Sequence, residues 1–365
     1  MCDMATYAIS DIHGAYEEFQ RLLDKIHFCY DGSDSLYLLG DYGDWGSESI
    51  ETLLAVERMD EEYDFVHCLM GNHELMFLAA IEYGITGERV TASAENWLGA
   101  NHGQVTWDGY CGLSAVEQQH LHGWLKSLPF SVDAWVNDRL FMLAHAYPFF
   151  DDREEEESAR QRHKMDAVWR RLLPRENPFA GYTGTKPYSL LICGHTITDY
   201  YYQKTNRQAG MTLMNALPAG HNHIYRSERF VDIDCGAKCM ELSGEEGSVK
   251  RSAADRAQLA AYCLETDEEF YVSRLGAIRE LMAGELTLEL EAPEMAVHDL
   301  LLPGREQPSL EAPELSMDEM HYPDVDAPRI HIPWLRMPDA DEEESKGLIG
   351  WAERRIAGYR DETEI

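Results

Sequence analysis

Residues 5–14 read Ala5-Thr6-Tyr7-Ala8-Ile9-Ser10-Asp11-Ile12-His13-Gly14. A short β-prone apolar run ends in two residue types that ligate metals, Asp11 and His13. A helix-spaced apolar series follows, with Phe19, Leu22, Leu23 and Ile26 inside Ala15 to Ile26. Strand, polar loop, helix is the repeating unit of an α/β fold, and it places the polar loop at the carboxyl end of a buried strand.

Four more segments repeat the unit. Ser35 to Leu39 runs into Gly40-Asp41-Tyr42-Gly43-Asp44, and Phe65 to Met70 into Gly71-Asn72-His73-Glu74. Leu140 to Ala144 runs into His145, and Ser189 to Cys193 into Gly194-His195-Thr196. Turn chemistry accounts for any one of these residues: Asn72 suits a turn, and Asp44 suits an N-cap before a helix at Ser47 to Met59. It does not account for five ligand-bearing strand ends in one chain.

The residue types point to phosphate-ester hydrolysis. That reaction needs a hydroxide at neutral pH and a sink for charge on the phosphoryl oxygens, and two divalent cations about 3.5–4 Å apart supply both. Holding two dications so close needs a bridging carboxylate, for which Asp41 is the candidate. Hard oxygen donors from Asp11, Asp41 and Asn72, mixed with the imidazoles of His13, His145 and His195, suit Mn, Fe, Zn or Mg, with Mn favoured. No cysteine joins the set, which argues against a structural zinc cage.

In this order the motifs resemble those of the calcineurin-like metallophosphoesterases, and within them the PPP-type serine/threonine protein phosphatases of bacterial type, over residues 5 to 273 or so. The resemblance implies a layered α/β/β/α sandwich as the catalytic domain, residues 1–273. It implies a first metal on Asp11, His13 and Asp41, and a second on Asp41, Asn72, His145 and His195. His73 would protonate the leaving oxygen with Asp44 orienting it, and a metal-bridging hydroxide would attack directly without a covalent intermediate. The last motif has Ile197 and Thr198 where nuclease-like members carry a second histidine, as in the PPP branch.

The departures are specific. Trp45 stands where the PPP pattern has a phosphate-clamping arginine, and Met70 where a second arginine often precedes the Gly-Asn-His-Glu motif. Arg171, in Trp169-Arg170-Arg171, is the remaining phosphate-binding candidate beside Asn72, although solvated charge is the ordinary role of arginine in the amphipathic stretch Met165 to Leu173. Trp45 is either a packed aromatic or a surface on which a substrate stacks. His-Ala-Gly of the relatives has become His145-Ala146-Tyr147. With every ligand retained, these changes read as a shift of substrate preference. The expected substrate is a phosphomonoester on phosphoserine or phosphothreonine. Alternatives are a dinucleoside polyphosphate such as diadenosine tetraphosphate, or a scaffold protein with residual activity.

Composition narrows the partners. The 365 residues are 44% hydrophobic and carry a formal net charge of −35, so nucleic-acid backbones and anionic membrane surfaces are repelled. Local positive potential at a phosphate site must come from metals and a few cationic side chains. Eight cysteines without a Cys-x-x-Cys pair read as reduced, buried thiols of a cytoplasmic protein. Met1-Cys2-Asp3-Met4 leads straight into the first strand, with no signal-like or membrane-spanning run expected.

Residues 84–126 form an insertion rich in Gly, Trp and His, including Trp97, Asn101, His102, Gly103, Trp107 and Tyr110. In the bacterial relatives a similar Trp-Leu-x-x-Asn-x-Gly stretch lines the pocket mouth, which implies a cap; a helical hairpin packed on itself is the other reading. Acidic Asp151 to Glu157 is expected to open a solvated helix reaching Leu173. Phe230 to Ala237 resembles the strand that follows the last ligand motif, and Leu259 to Leu264 with Glu269 to Val272 reads as a final hairpin. His221 and His223, beside Pro218 and Gly220, read as an exposed loop before an extra metal site.

Beyond Ser273 a different pattern begins. Pro293, Pro303, Pro308, Pro313, Pro323, Pro328, Pro333 and Pro338 fall on one five-residue grid, most followed two residues later by an apolar side chain. Proline at that density excludes regular helix, so residues 274–340 are expected to be an extended arm, packed on a surface or serving as a stiff linker. Residues 341–365 contain an amphipathic helix, Ser345 to Tyr359, with Leu348, Ala352, Ile356 and Tyr359 on one face. That face suits the catalytic domain, a partner or a second copy.

Overall fold

The computed structural model describes residues 4–274, apart from 88, 151–155, 208–216, 218–219 and 245–252. The proline arm expected at 274–340 beyond Arg274, the helix expected at 341–365 and the start of the acidic run at Asp151 lie outside the described residues.

The first half of the chain repeats strand and helix. β1 (Thr6–Ile9), α1 (Tyr16–Lys25), β2 (Ser35–Leu38), α2 (Ser49–Glu62), β3 (Val66–Cys68) and α3 (Asn72–Ala79) follow in order. A π turn, Ala80–Gly84, leads into the insertion: β4 (Ile85–Thr86), β5 (Arg89–Val90), α4 (Ala92–Leu98), α5 (Gln104–Gly112) and α6 (Ala115–Ser127). The second half holds β6 (Ser131–Val136), β7 (Arg139–Ala144), α7 (Glu157–Trp169), β8 (Tyr188–Cys193), α8 (Asp199–Arg207), β9 (Tyr225–Arg226) and β10 (Phe230–Asp232). A 3-10 segment (Ala237–Gly244) then precedes the hairpin β11 (Leu259–Cys263) and β12 (Glu269–Val272).

These strands make two five-stranded sheets, ordered β12-β11-β1-β2-β3 and β6-β7-β8-β10-β9. β1, β2 and β3 run parallel, as do β7, β8 and β10. Between the sheets lie Ala8, Tyr37 and Leu39 from one and Phe141, Leu143, Ile192 and Val231 from the other. The alternate side chains Ile9, Leu36 and Leu38 face α1, α2 and α3 through Phe19, Leu22, Leu53 and Val56. Leu140, Met142 and Leu191 pack outward against Leu172, Phe179 and Tyr201. Strands apolar on both faces are what two covering layers require, and the result is the expected α/β/β/α sandwich. Each such fully buried side chain contributes about 1.5–3 kcal/mol.

Local boundaries differ from the sequence reading in two places that matter. α7 stops at Trp169, not Leu173: Arg170 is extended, at φ −74° and ψ 124°, and Pro174 disfavours a helical Leu173 before it. The strand read as Phe230 to Ala237 ends at Asp232, whose carboxylate accepts from Asp234 N at 3.1 Å in a tight turn, and Gly236, at φ 80°, then leads the chain into the 3-10 segment.

Candidate metal centre

All six parallel strands end on the same side, and the loops after five of them deliver the candidate ligands. Asp11 and His13 follow β1, Asp41 and Asp44 follow β2, Asn72 and His73 open α3, His145 abuts β7, and His195 follows β8. Asp11, His13, Asp41, Asp44 and His195 have φ of 55°, 49°, 58°, 67° and 67°. Left-handed backbone costs an ordinary residue about 1 kcal/mol or more and is least costly for Asp, Asn and His. The sharp turns therefore favour the same residue types that ligate metals. Gly40, at φ 99°, passes so close to Gly71 that a β-carbon would meet its backbone.

Each imidazole uses one nitrogen on the scaffold and turns the other inward. His13 Nδ1–H donates to Gly43 O at 3.1 Å, His145 Nδ1–H to Leu39 O at 2.9 Å, and His195 Nε2–H to Trp169 O at 3.2 Å. Such bonds fix the tautomer and leave the opposite lone pair for a metal. The inward nitrogens converge on oxygen: His145 Nε2 lies 2.9 Å and His195 Nδ1 3.0 Å from Asn72 Oδ1. His13 Nε2 and His145 Nε2 lie 3.5 Å and 3.4 Å from Asp41 Oδ2.

A cluster of acceptors with few protons to share is what a cation resolves. Asp11 Oδ1 and His13 Nε2, 3.8 Å apart, are buried and have no hydrogen-bond partner. His13, Asp41 and His73 form one group with atoms close enough to hold an ion; Asp41, His145 and His195 form another. Asp41 belongs to both, which suits it as a bridge. The first group holds His73 in place of the expected Asp11, yet Asp11 stays beside it through His13.

The supporting contacts are equally directed. Asp11 Oδ2 accepts from Ser10 Oγ at 2.6 Å and His195 N at 2.9 Å. Asp41 Oδ1 accepts from His73 N, in the first turn of α3, at 3.0 Å. Behind Asp41, the Glu74 carboxylate accepts from the backbone N–H groups of Asp41 (2.7 Å), Tyr42 (2.8 Å) and Gly71 (3.1 Å), tying two ligand loops together.

Electrostatics divides the histidines into two kinds. Burial, helped by His73, holds His13 well below its usual proton affinity, and burial with Arg171 does the same for His195. Both shifts favour the neutral form, which ligands need. Burial also disfavours charge on His73, but the carboxylates of Asp41 and Asp44 outweigh it and keep His73 above the ordinary range. His145 follows the same logic: burial is overcome by Asp41 and Asp11, and in the metal-free protein it rises to about 9.

His73 Nδ1–H donates to Asp44 Oδ2 at 2.6 Å. Asp44 is held in turn by the insertion, with Trp97 Nε1–H on Oδ2 at 2.6 Å and Thr106 Oγ1 on Oδ1 at 2.5 Å. Sequence reasoning placed Trp97 at the pocket mouth and gave Thr106 no role. Trp97 is instead 1% exposed and stacked on Phe77 at 5.4 Å between ring centroids, so the insertion braces the His73–Asp44 pair from within.

The aromatic and cationic candidates also sort themselves. Trp45 is packed on one face by His102, centroids 3.8 Å apart. Arg170 is engaged by Glu176 at 2.6 Å and by the Tyr147 ring. Arg171 Nη1 lies 3.4 Å from Thr196 Oγ1, next to His195, with no carboxylate paired to it among the described residues. His221 and His223 stay in a loop apart from these groups, His223 against the Tyr271 ring at 4.6 Å.

The sixth strand end, after β10, escaped the sequence reading as a site. Asp234 is 1% exposed, with Oδ2 lacking a partner, and burial together with Asp11 raises it to about 7. Four residues on, Lys238 brings its ammonium 5.9 Å from the Trp45 ring centroid. The available signal was that apolar Phe230-Val231 also ends in a carboxylate-rich turn, Asp232-Ile233-Asp234.

A family model of calcineurin-like phosphoesterases matches residues 4–199, more than half the chain. The chain belongs to the calcineurin-like phosphoesterase family. This calcineurin-like phosphoesterase is 36% identical over 126 residues to a symmetrical bis(5'-nucleosyl)-tetraphosphatase of Nitrosococcus oceani, covering 34% of this chain and 38% of the relative. It is 33% identical over 144 residues to the Erwinia tasmaniensis protein of the same name, covering 39% and 44%. The chain thus spans about two fifths of the length of these curated relatives. A protein serine/threonine phosphatase from Saccharomyces cerevisiae superposes with a TM-score of 0.42 at 13% identity, over 72% of this chain and 73% of that one. Among the described residues of this calcineurin-like phosphoesterase, the cysteines are free and no helix is long and apolar enough to cross a membrane.

Proposed function

We propose that this protein hydrolyses phosphoric esters, with one divalent cation held by Asp11, His13 and Asp41 and a second by Asp41, Asn72, His145 and His195. The observation that carries the reading is the set of buried acceptors turned on one another: Asp11 Oδ1, His13 Nε2, Asp41 Oδ2, Asn72 Oδ1 and His195 Nδ1. When bound, the two cations supply an acidified water and a sink for phosphoryl charge. Neutral His13 and His195 offer lone pairs. His73, kept protonated by Asp41 and Asp44, presents Nε2–H toward the same space, 3.9 Å from Asp41 Oδ2, where it donates its proton to the leaving oxygen. Asn72 and Arg171 bind the phosphoryl oxygens.

The substrate read from the motif set is a phosphomonoester of the phosphoserine or phosphothreonine kind. A second reading, a dinucleoside polyphosphate, is favoured by the names of the matched relatives. Packing of His102 against Trp45 covers one face of the indole on which a base would otherwise stack. Mn-loaded full-length protein should release phosphate from para-nitrophenyl phosphate, and Asp41→Asn or His73→Asn should abolish release. Absence of release from any phosphopeptide, nucleotide or small ester would leave the scaffold reading. Turnover on phosphopeptides against diadenosine tetraphosphate separates the two substrate classes.

A further inference from the structure

With tryptophan and methionine at the positions where arginines are expected to clamp phosphate, Arg171 takes up part of that role, and a second cation would have to enter from elsewhere. We propose that Lys238 is a phosphate-binding residue of this site, set on the sixth strand-end loop and gripping a non-bridging phosphoryl oxygen from the side of Trp45 and His73. The inference rests on the phosphoester reading above for its chemistry.

The geometry is local and specific. Asp234 Oδ1 accepts from Gly236 N at 2.8 Å, and Gly236, at φ 80°, reverses the chain. Cys239 N–H donates to Gly236 O at 2.9 Å, starting the 3-10 segment that carries Lys238. Trp45 directly follows Asp44 and is pinned there, its N–H donating to His102 O at 3.3 Å while the next residue, Gly46, donates to His13 O at 3.0 Å. An ammonium 5.9 Å from the Trp45 ring therefore stands over the loop that orients His73.

Its charge is felt across the site. It adds to burial and His73 in lowering His13, and to burial and Arg171 in lowering His195. It works with burial against Asp41 and Asp44 at His73, and opposes burial and Asp11 at Asp234. An ordinary surface lysine of a chain with 66 acidic residues against 31 lysines and arginines would be expected to find a carboxylate. Among the described residues none lies within ion-pair distance of this half-buried one. Of the groups its charge reaches, His73 is held toward the protonated form and Asp234 is not within ion-pair distance, so the ammonium has no paired carboxylate to give up when an anion arrives. A lysine binds phosphate as a point charge, needing no bidentate geometry, which suits a position where the planar arginine fork is absent.

The test is a calorimetric titration of inorganic phosphate into Mn-loaded full-length protein, comparing wild type, Lys238→Met and Lys238→Arg at metal contents matched by elemental analysis. Loss of one charge-assisted hydrogen bond should weaken phosphate binding about 10–100-fold in Lys238→Met, while Lys238→Arg stays within about threefold of wild type because it keeps the charge. If the Met variant melts lower than wild type, Lys238→Gln carries the comparison. Equal phosphate affinity in wild type and Lys238→Met, or no phosphate binding by wild type, overturns the inference. Para-nitrophenyl phosphate turnover on the same samples keeps the two claims apart: phosphate binding that depends on Lys238 without any turnover would sink the hydrolase reading and leave this one standing.

Discussion

The indole Nε1–H of Trp97 donates to Asp44 Oδ2 at 2.6 Å, the same oxygen that receives His73 Nδ1–H at 2.6 Å. A buried tryptophan in the insertion thus shares the carboxylate that sets the charge and orientation of the proposed general acid. Trp97→Phe keeps the stack on Phe77 and removes only the donor. It should lower kcat about tenfold with KM and metal content little changed, the value of one charge-assisted bond. Steady-state kinetics with elemental analysis checks this; an unchanged kcat would mean that Thr106 holds Asp44 unaided.

Metal loading should release protons. In the metal-free protein burial disfavours charge on His145, yet Asp41 and Asp11 raise it from the ordinary 6.5 to about 9. A raised histidine contributes stability that is fully present below about 6.5 and lost as pH climbs through about 9. A metal takes the neutral ring, so near pH 7 binding displaces about one proton, and Mn affinity should rise up to about tenfold per pH unit toward pH 9. Calorimetry in two buffers of different ionisation enthalpy counts that proton.

Asp11→Asn should separate stability from metal binding. Asp11 is buried near Asp41 and Asp234, and burial raises its proton affinity above the ordinary carboxylate range, with Asp41 adding to the rise and His145 opposing it. In the metal-free protein the amide removes repulsion from Asp41 but also attraction to His145, and its oxygen can still accept from Ser10 and His195, so the melting temperature should stay within a few degrees of wild type. Metal at about a hundredfold over its dissociation constant stabilises wild type by about 2.7 kcal/mol, and the variant should lose most of that gain. Melting curves with and without Mn decide it; a metal-free variant that melts well below wild type contradicts the expectation.

Glu74→Gln should be costly in both states. Its two oxygens accept three backbone N–H groups, from Asp41, Tyr42 and Gly71, and an amide turns one acceptor into a donor facing donors. The expected loss is about 1–3 kcal/mol in denaturant unfolding, with metal affinity down about 10–100-fold because Asp41 loses its backing. Denaturation midpoints together with Mn titration measure both.

Five of the six strand-end loops were readable because each joins an apolar strand to a residue type that tolerates a left-handed turn and also binds metal, as at Asp11, Asp41 and His195. The sixth, after β10, offered only Asp234 and a lysine in an unremarkable Ala237-Lys238-Cys239 setting, and its relation to Trp45 exists only in three dimensions. The same holds for Trp97 and Thr106, which reach Asp44 across 53 and 62 residues. Arg170 and Arg171 could not be ranked by sequence, since the amphipathic period runs through both. The end of α7 at Trp169 separates them, leaving Arg170 with Glu176 and Arg171 beside His195.

One sheet brings Asp11, His13, Asp41 and Asn72, and the other brings His145 and His195. The second proposed ion, on Asp41 and Asn72 from one sheet and His145 and His195 from the other, would therefore act as a hasp across the seam between two halves that meet elsewhere mainly through oily side chains. Chelation would then do more than silence the proposed hydrolysis: the ends of β7 and β8 should breathe against β1 and β2, and amides around Gly40 and Gly194 should exchange with solvent sooner once the hasp is undone.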